Sequence, residues 1–235
     1  MPASYIPLGG RVRLATIALG VMAVLCAVSI GFGFAEQRTI DRLLAGATVS
    51  DAELTAIDDR NLALLPLNIV VWIFAAFAFI RWLRAAYFNV DVVAPVERRY
   101  GHGWAIGAWF VPFLNLWRPK QIVNDVWRAG GRDVEHAQPG WLLLSWWALW
   151  IFADVVLRIA GNSYAQADTP EEWRTGNIIY LVGDALSLVT AFLAVAVVRF
   201  ATERLDGRAA EKAAAPPEPP AGDALRLEVP AGAAP

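Results

Sequence analysis

The sequence predicts an all-α integral membrane bundle of four transmembrane helices, with one re-entrant or interfacial segment and a short amphipathic helix. Composition gives the first indication, because 57% of the 235 residues are hydrophobic and the mean hydropathy is +0.43. Ordinary soluble domains are less apolar. The second indication is the presence of four long apolar segments, and the third is a bias of basic residues toward one side of them. A lipid bilayer is therefore the expected partner.

Four segments are long enough to span a bilayer, since about 20 apolar residues cross a hydrocarbon core of about 30 Å as a helix. The predicted spans cover residues 14–35, 62–80, 141–160 and 177–200, within a membrane domain of residues 14–200. The first span carries no charge, and we expect a retained helix, with a cleaved signal peptide as the alternative. Ser50 and Glu53 fit a capping box, which predicts a polar helical lead-in to the second span.

Basic residues indicate the orientation of the chain in the membrane. They flank the predicted spans on one side at Arg11, Arg13, Arg81, Arg84, Arg199 and Arg204. Because lysine and arginine are enriched in cytoplasmic segments, we expect both termini to be cytoplasmic, with the chain in an inner (cytoplasmic) membrane. Residues 1–13 would form the N-terminal cytoplasmic segment. Residues 201–235 are rich in alanine and proline, and we predict a disordered cytoplasmic tail there.

The stretch "GHGWAIGAWFVPFLNLWRPKQ" is too apolar for a loop in water and too short for a span. An unbroken helix from Gly103 to Trp117 would reach only about 22 Å. Pro112 would also kink it near its middle. If the stretch crossed the membrane, the basic bias would invert for the rest of the chain. We therefore predict that residues 103–130 enter and leave from the cytoplasmic side.

The following stretch, "KQIVNDVWRAGG", has the pattern of a short amphipathic helix lying in the interface. Ile122, Val123 and Val126 share one face with Trp127. The helix is interpreted either as a cover over the cytoplasmic mouth of the bundle or as a binding surface for anionic lipid headgroups or a protein partner. The candidate functional motif comprises Trp104, Pro112, Asn115, Trp117, Arg118, Pro119 and Trp127.

Three stretches together resemble the bacterial domain-of-unknown-function family 4328. They are "RWLRAAYFN", "GWAIGAWFVPFLNLWRPKQIVNDVW" and "WWALWIFADVVLRIAG". The resemblance covers approximately residues 62–200. It implies a multi-pass membrane architecture and brings no catalytic residues to this chain.

Charged residues inside the predicted spans form a second candidate site. Asp154 and Arg158 are four residues apart, so they share a helical face and can pair. Asp184 lies at about the same depth in the next, antiparallel span. We expect these three residues to form a cluster facing the bundle interior. Such a cluster is either a structural ion-pair network or part of a proton or ion pathway.

Several classes of function are disfavoured by the sequence. The net charge of −2 does not indicate a nucleic-acid partner. Cys26 is the single cysteine, and His102 and His136 lie far apart, so no metal site or cofactor is expected. The sequence contains no catalytic signature. We expect a non-enzymatic inner-membrane protein, an interaction or envelope-associated module of unknown oligomeric state; the alternative is a small transporter or channel using the charged cluster.

Overall fold

The computed structural model describes residues 4–94, 98–131 and 140–215, and every regular element in these ranges is helical. The elements are α1 (Gly9–Leu44), α2 (Asp51–Val93), α3 (Trp104–Gly107), a 3-10 turn (Leu114–Leu116), α4 (Arg118–Ala129), α5 (Trp141–Ala165) and α6 (Pro170–Ala214). Within the described residues, α1, α2, α5 and α6 are long and apolar enough to cross a membrane. The predicted bundle of four transmembrane helices is confirmed.

Capping boxes begin two of the four long helices. Ser50 accepts a hydrogen bond from the Glu53 backbone N–H while the Glu53 carboxylate accepts one from the Ser50 backbone, so the predicted cap of α2 is confirmed. Thr169 and Glu172 make the same exchange at the start of α6. Each box satisfies amide groups that would otherwise lack a partner in the first turn.

Helix α6 lies between α1 and α5, and α2 packs on α1. Two glycines allow close contacts of α6 with its neighbours. A Cβ atom on Gly183 of α6 would lie 2.6 Å from Leu157 Cδ2 of α5, and one on Gly33 of α1 would lie 2.7 Å from Leu181 Cδ2 of α6. Small residues at such points let helix backbones approach closely in the membrane.

The N-terminal residues and the last turns of α6 meet at one end of the bundle, called the terminal end below. The Ile6 amide donates to Asn89 Oδ1 and the Asn89 side chain donates to Ile6 O, each at 2.8 Å. The Tyr5 hydroxyl is hydrogen bonded to Asp206. The opposite end, called the loop end, carries residues 45–50 and 166–169.

Residues 201–214 correct the predicted disordered tail, because they continue α6 as helix. Alanine, glutamate, arginine and lysine are strong helix formers. Packing adds to this preference: Thr202 Oγ1 accepts a hydrogen bond from Trp82 Nε1 at 2.9 Å, and Leu205 is fully buried. The rest of the predicted tail, residues 216–235, lies outside the described residues.

Candidate functional site at the terminal end

The segment between α2 and α4 folds back on itself at the terminal end. Phe113, which follows Pro112, has φ +64° and is the single non-glycine residue with positive φ among the described residues. The Asn115 amide donates to Val111 O within this turn. The Tyr100 hydroxyl donates to Gln121 Oε1 at 2.6 Å, so the two ends of the segment are adjacent. The segment therefore returns to the end where it began, while its depth in a bilayer stays a prediction.

Tryptophan side chains fix this segment to the bundle. Nε1 of Trp147 on α5 donates to Leu116 O at 2.9 Å. The ring of Trp109 makes edge contacts with Phe79 of α2 and with Trp147 and Trp150 of α5, at centroid distances of 5.9, 6.1 and 6.0 Å. Edge contacts of this kind add about 1 kcal/mol each beyond area burial. The segment is thus packed against two transmembrane helices.

The other side of the segment presents large apolar side chains outward. Phe110 is 74% exposed, Phe113 76% and Trp117 45%. In water such a cluster would be costly, whereas in a membrane it contacts acyl chains and the headgroup layer.

Arg118 directly follows the exposed Trp117 at the start of α4. Its guanidinium carbon lies 4.0 Å from the Trp104 ring centroid and 4.9 Å from that of Tyr100. Both rings attract the cation through their π faces. Nη1 is buried and has no hydrogen-bond partner among the described residues. Pro119 is buried in the first turn of α4. Its missing N–H breaks no helical hydrogen bond there, because N–H groups of the first turn have no carbonyl partner within the helix.

Helix α4 is amphipathic as predicted, and its apolar face packs against the bundle, whereas its position in a membrane interface stays a prediction. Its apolar residues Ile122, Val123 and Val126 are fully buried, and α4 packs on α2 and α6. The Trp127 ring lies 4.7 Å from the guanidinium carbon of Arg204 on α6. The apolar face of α4 is therefore buried against protein.

Two polar residues of α4 that the sequence prediction left out are buried at this end. Asn124 and Asp125 are each 8% exposed. Asp125 Oδ1 binds Arg128 at 2.7 Å and Arg99 at 3.4 Å, yet Asp125 Oδ2, Asn124 Oδ1 and Arg128 Nε have no hydrogen-bond partner among the described residues. Burial raises the pKa of Asp125, against the opposing effect of the two arginines. The spacing of Asp125 and Arg128 was the available sequence signal.

His102 lies near this region without forming part of a ligand set. Its Nε2 atom is 3.2 Å from Asp91 Oδ2, and its ring packs 5.0 Å from that of Phe88. Asp91 also pairs with Arg98. His136 lies outside the described residues.

The predicted interior cluster of Asp154, Arg158 and Asp184 is corrected by the structure. Asp154 and Arg158 do pair, at 2.8 Å, but their side chains are 50% and 76% exposed on the outward surface of α5. The inward face of α5 is taken by small buried residues such as Ala153 and Ala160. Asp184 is half-buried near Cys26 of α1, and no described cation lies within ion-pair distance of it.

A buried charged network that the sequence prediction missed lies at the loop end. Glu36 is 5% exposed. Its Oε2 atom accepts from Arg60 at 2.7 Å and Asn61 at 3.3 Å, and its Oε1 atom accepts from the Tyr164 hydroxyl at 2.6 Å. A signal was present in the sequence: Glu36 directly follows the first predicted span and Arg60 shortly precedes the second, so antiparallel helices place them at one level.

These features define a helical membrane protein with four long apolar helices and a packed, partly lipid-compatible segment at one end. Residues 45–203 match the family described as Domain of unknown function (DUF4328). The match covers more than half of the chain, so the chain belongs to that family, as the resemblance predicted. No curated protein and no solved structure matches the chain.

Proposed function

We propose that this protein is a non-enzymatic module of the bacterial inner membrane that binds anionic phospholipid headgroups at its terminal end. Arg118 carries the proposal. Its guanidinium is held by stacking and has no acidic partner among the described residues, exposed Trp117 directly precedes it, and exposed Phe113 lies five residues before it. A phosphate group would accept hydrogen bonds from the guanidinium while the acyl chains meet the aromatic side chains.

The charge balance around α4 supports an anionic ligand. Arg99 and Arg128 share Asp125, whereas Arg118 and Lys120 have no acidic partner among the described residues. The pKa of Lys120 is lowered, first by burial and second by the positive charge of Arg99. A nearby anion would offset the repulsion between these two cations. Each lysine or arginine near an anionic membrane surface contributes about 1 kcal/mol.

The expected orientation is consistent with this ligand. Basic residues predict that the terminal end is cytoplasmic, and the inner leaflet carries anionic lipid. The non-enzymatic part of the proposal rests on the sequence, which carries none of the catalytic motifs sought. The transporter alternative gains no support, because the outward position of Asp154 and Arg158 does not line an interior path.

Native mass spectrometry of the purified full-length protein tests the proposal. We expect phosphatidylglycerol to be retained in preference to phosphatidylcholine, and Arg118→Gln to reduce that preference severalfold, in line with the loss of about 1 kcal/mol. The matched control is Arg38→Gln, which removes an exposed arginine of α1 near the loop end. Equal retention of both lipids by the wild type, or an unchanged preference in Arg118→Gln, would count against the proposal.

A further inference from the structure

The buried Asp125 carboxylate pairs with two arginines through the same oxygen. Its Oδ1 atom accepts a hydrogen bond from Arg128 Nη2 at 2.7 Å and lies 3.4 Å from Arg99 Nε. Its Oδ2 atom has no hydrogen-bond partner among the described residues. One negative charge is thus shared by two cations, and the second carboxylate oxygen can hold a proton without displacing a donor.

The charged and titratable groups around Asp125 come from several elements. Arg99 precedes α3, and Arg128 lies on α4 itself. Tyr87 of α2 is within electrostatic range of the carboxylate. Helix α6 brings Arg204, which donates to a backbone carbonyl of α4 at 3.4 Å. Residues 141–153 of α5 and the 3-10 turn carry no titratable side chain, so Asp125 is the carboxylate of this group.

Two opposing effects set the proton affinity of Asp125. Burial disfavours the charged carboxylate, whereas Arg128 and Arg99 favour it, and burial is the larger effect, so the pKa of Asp125 is raised. On acidification, Asp125 therefore takes up a proton at a higher pH than an exposed aspartate does. The new O–H bond on Oδ2 makes the side chain a neutral acid. Both arginines then lose the charge that they share.

We propose that Asp125 is a proton-sensitive lock on the anionic-lipid site, which holds Arg99 and Arg128 while it is charged and releases both to headgroup phosphates when it is protonated. This inference rests on the function proposed for Arg118. The Arg99 side chain is 45% exposed, and its charge acts on Lys120 in the first turn of α4. A released Arg99 therefore adds positive charge close to the proposed lipid site.

Binding of short-chain phosphatidylglycerol to the full-length protein in neutral detergent tests the lock. Its affinity is compared with that of short-chain phosphatidylcholine while the pH falls from about 7.5 to about 4.5, toward the ordinary titration range of aspartate. The phosphodiester keeps its charge over this range. We expect the wild-type preference for phosphatidylglycerol to rise about fivefold, because one arginine near an anionic surface contributes about 1 kcal/mol.

Variants at Asp125 separate the lock from other titrating groups. Asp125→Asn fixes the neutral state and should show the raised preference at every pH, whereas Asp125→Glu keeps a titrating carboxyl and should keep the pH dependence. Asp91→Asn is the matched control, because Asp91 is 35% exposed at the same end and pairs with Arg98 and His102. The rise on acidification should persist in this control. It should also persist in His102→Gln with His136→Gln, which removes both histidines of the chain.

A further variant tests whether the released arginines carry the effect. Adding Arg99→Gln and Arg128→Gln to Asp125→Asn should return the preference to the wild-type value at neutral pH. Unfolding followed by tryptophan fluorescence checks that each variant is folded. A wild-type preference that does not change with pH, or a rise that persists in Asp125→Asn, overturns the lock; if Arg118→Gln still lowers binding, the proposed function stands. A wild type without preference for phosphatidylglycerol at any pH overturns both.

Discussion

The two ends of the bundle each bury a carboxylate, but they differ in how that carboxylate is bonded. At the loop end, Glu36 is 5% exposed and both of its carboxylate oxygens accept hydrogen bonds. At the terminal end, Asp125 is 8% exposed and its Oδ2 atom has no partner among the described residues. The same contrast holds for the cations. Arg60 is bonded to Glu36, whereas the partners of Arg118 among the described residues are aromatic faces.

This difference separates a structural role from a binding role. A buried charge whose partners are all supplied by the protein fixes helix positions, and nothing remains for a ligand to satisfy. Unpaired buried groups weaken the fold unless something else binds them. We infer that the Glu36 network locks the loop end, whereas at the terminal end Arg118, which has no acidic partner among the described residues, is poised for an anion.

The largest effect is expected from removing the centre of the loop-end network. Glu36→Leu removes the carboxylate that pairs with Arg60, whose side chain is only 20% exposed. Because the change leaves a largely buried cation unpaired, it should lower the free energy of unfolding by about 3 kcal/mol. The measurement is unfolding in mixed micelles with increasing SDS, followed by tryptophan fluorescence. Asp41→Ala is the control, because its pair with Arg174 is half-exposed and should contribute less than about 1 kcal/mol. Similar losses from both variants would show that Glu36 is not a lock.

A second effect concerns the contact of α4 with α6. A Cβ atom on Gly130 would lie 2.6 Å from Arg204 Cβ and 2.8 Å from its backbone carbon, so Gly130→Ala should destabilise the protein by about 2 kcal/mol. Gly207→Ala, where a Cβ meets nothing within 4 Å, should be neutral or stabilising by up to about 1 kcal/mol. Chemical unfolding of both variants checks this. Tolerance of alanine at position 130 would contradict the close packing of α4 that the terminal-end site needs.

The smallest effect is expected from freeing the segment before α4. Trp147→Phe removes the hydrogen bond to Leu116 O and should cost about 1 kcal/mol. Hydrogen–deuterium exchange of the amides in residues 113–117 should become faster. Trp150→Phe is the control, since its indole donates no hydrogen bond within the described residues while its ring also packs on Trp109. Equal acceleration in both variants would mean that packing alone holds the segment.

Hydropathy predicted the four spans because lipid requires long apolar helices whatever the tertiary contacts are. The spacing of Asp154 and Arg158 likewise predicted their pairing. It could not predict the direction of the pair, because helix rotation depends on contacts such as Gly183 against Leu157. Alanine-rich residues 201–214 suit either a tail or a helix, and tertiary packing at Thr202 favours the helix.

Thermal unfolding in two lipid compositions tests the binding role of the terminal end most directly. The melting temperature of the full-length protein is measured in phosphatidylcholine vesicles and in vesicles enriched in phosphatidylglycerol. We expect anionic lipid to raise the wild-type Tm, because a ligand that binds only the folded state stabilises it. Arg118→Gln with Lys120→Gln should lose this rise relative to its own Tm in phosphatidylcholine, and Arg38→Gln with Arg42→Gln near the loop end should retain it. A rise that persists in the terminal-end variant would contradict the account.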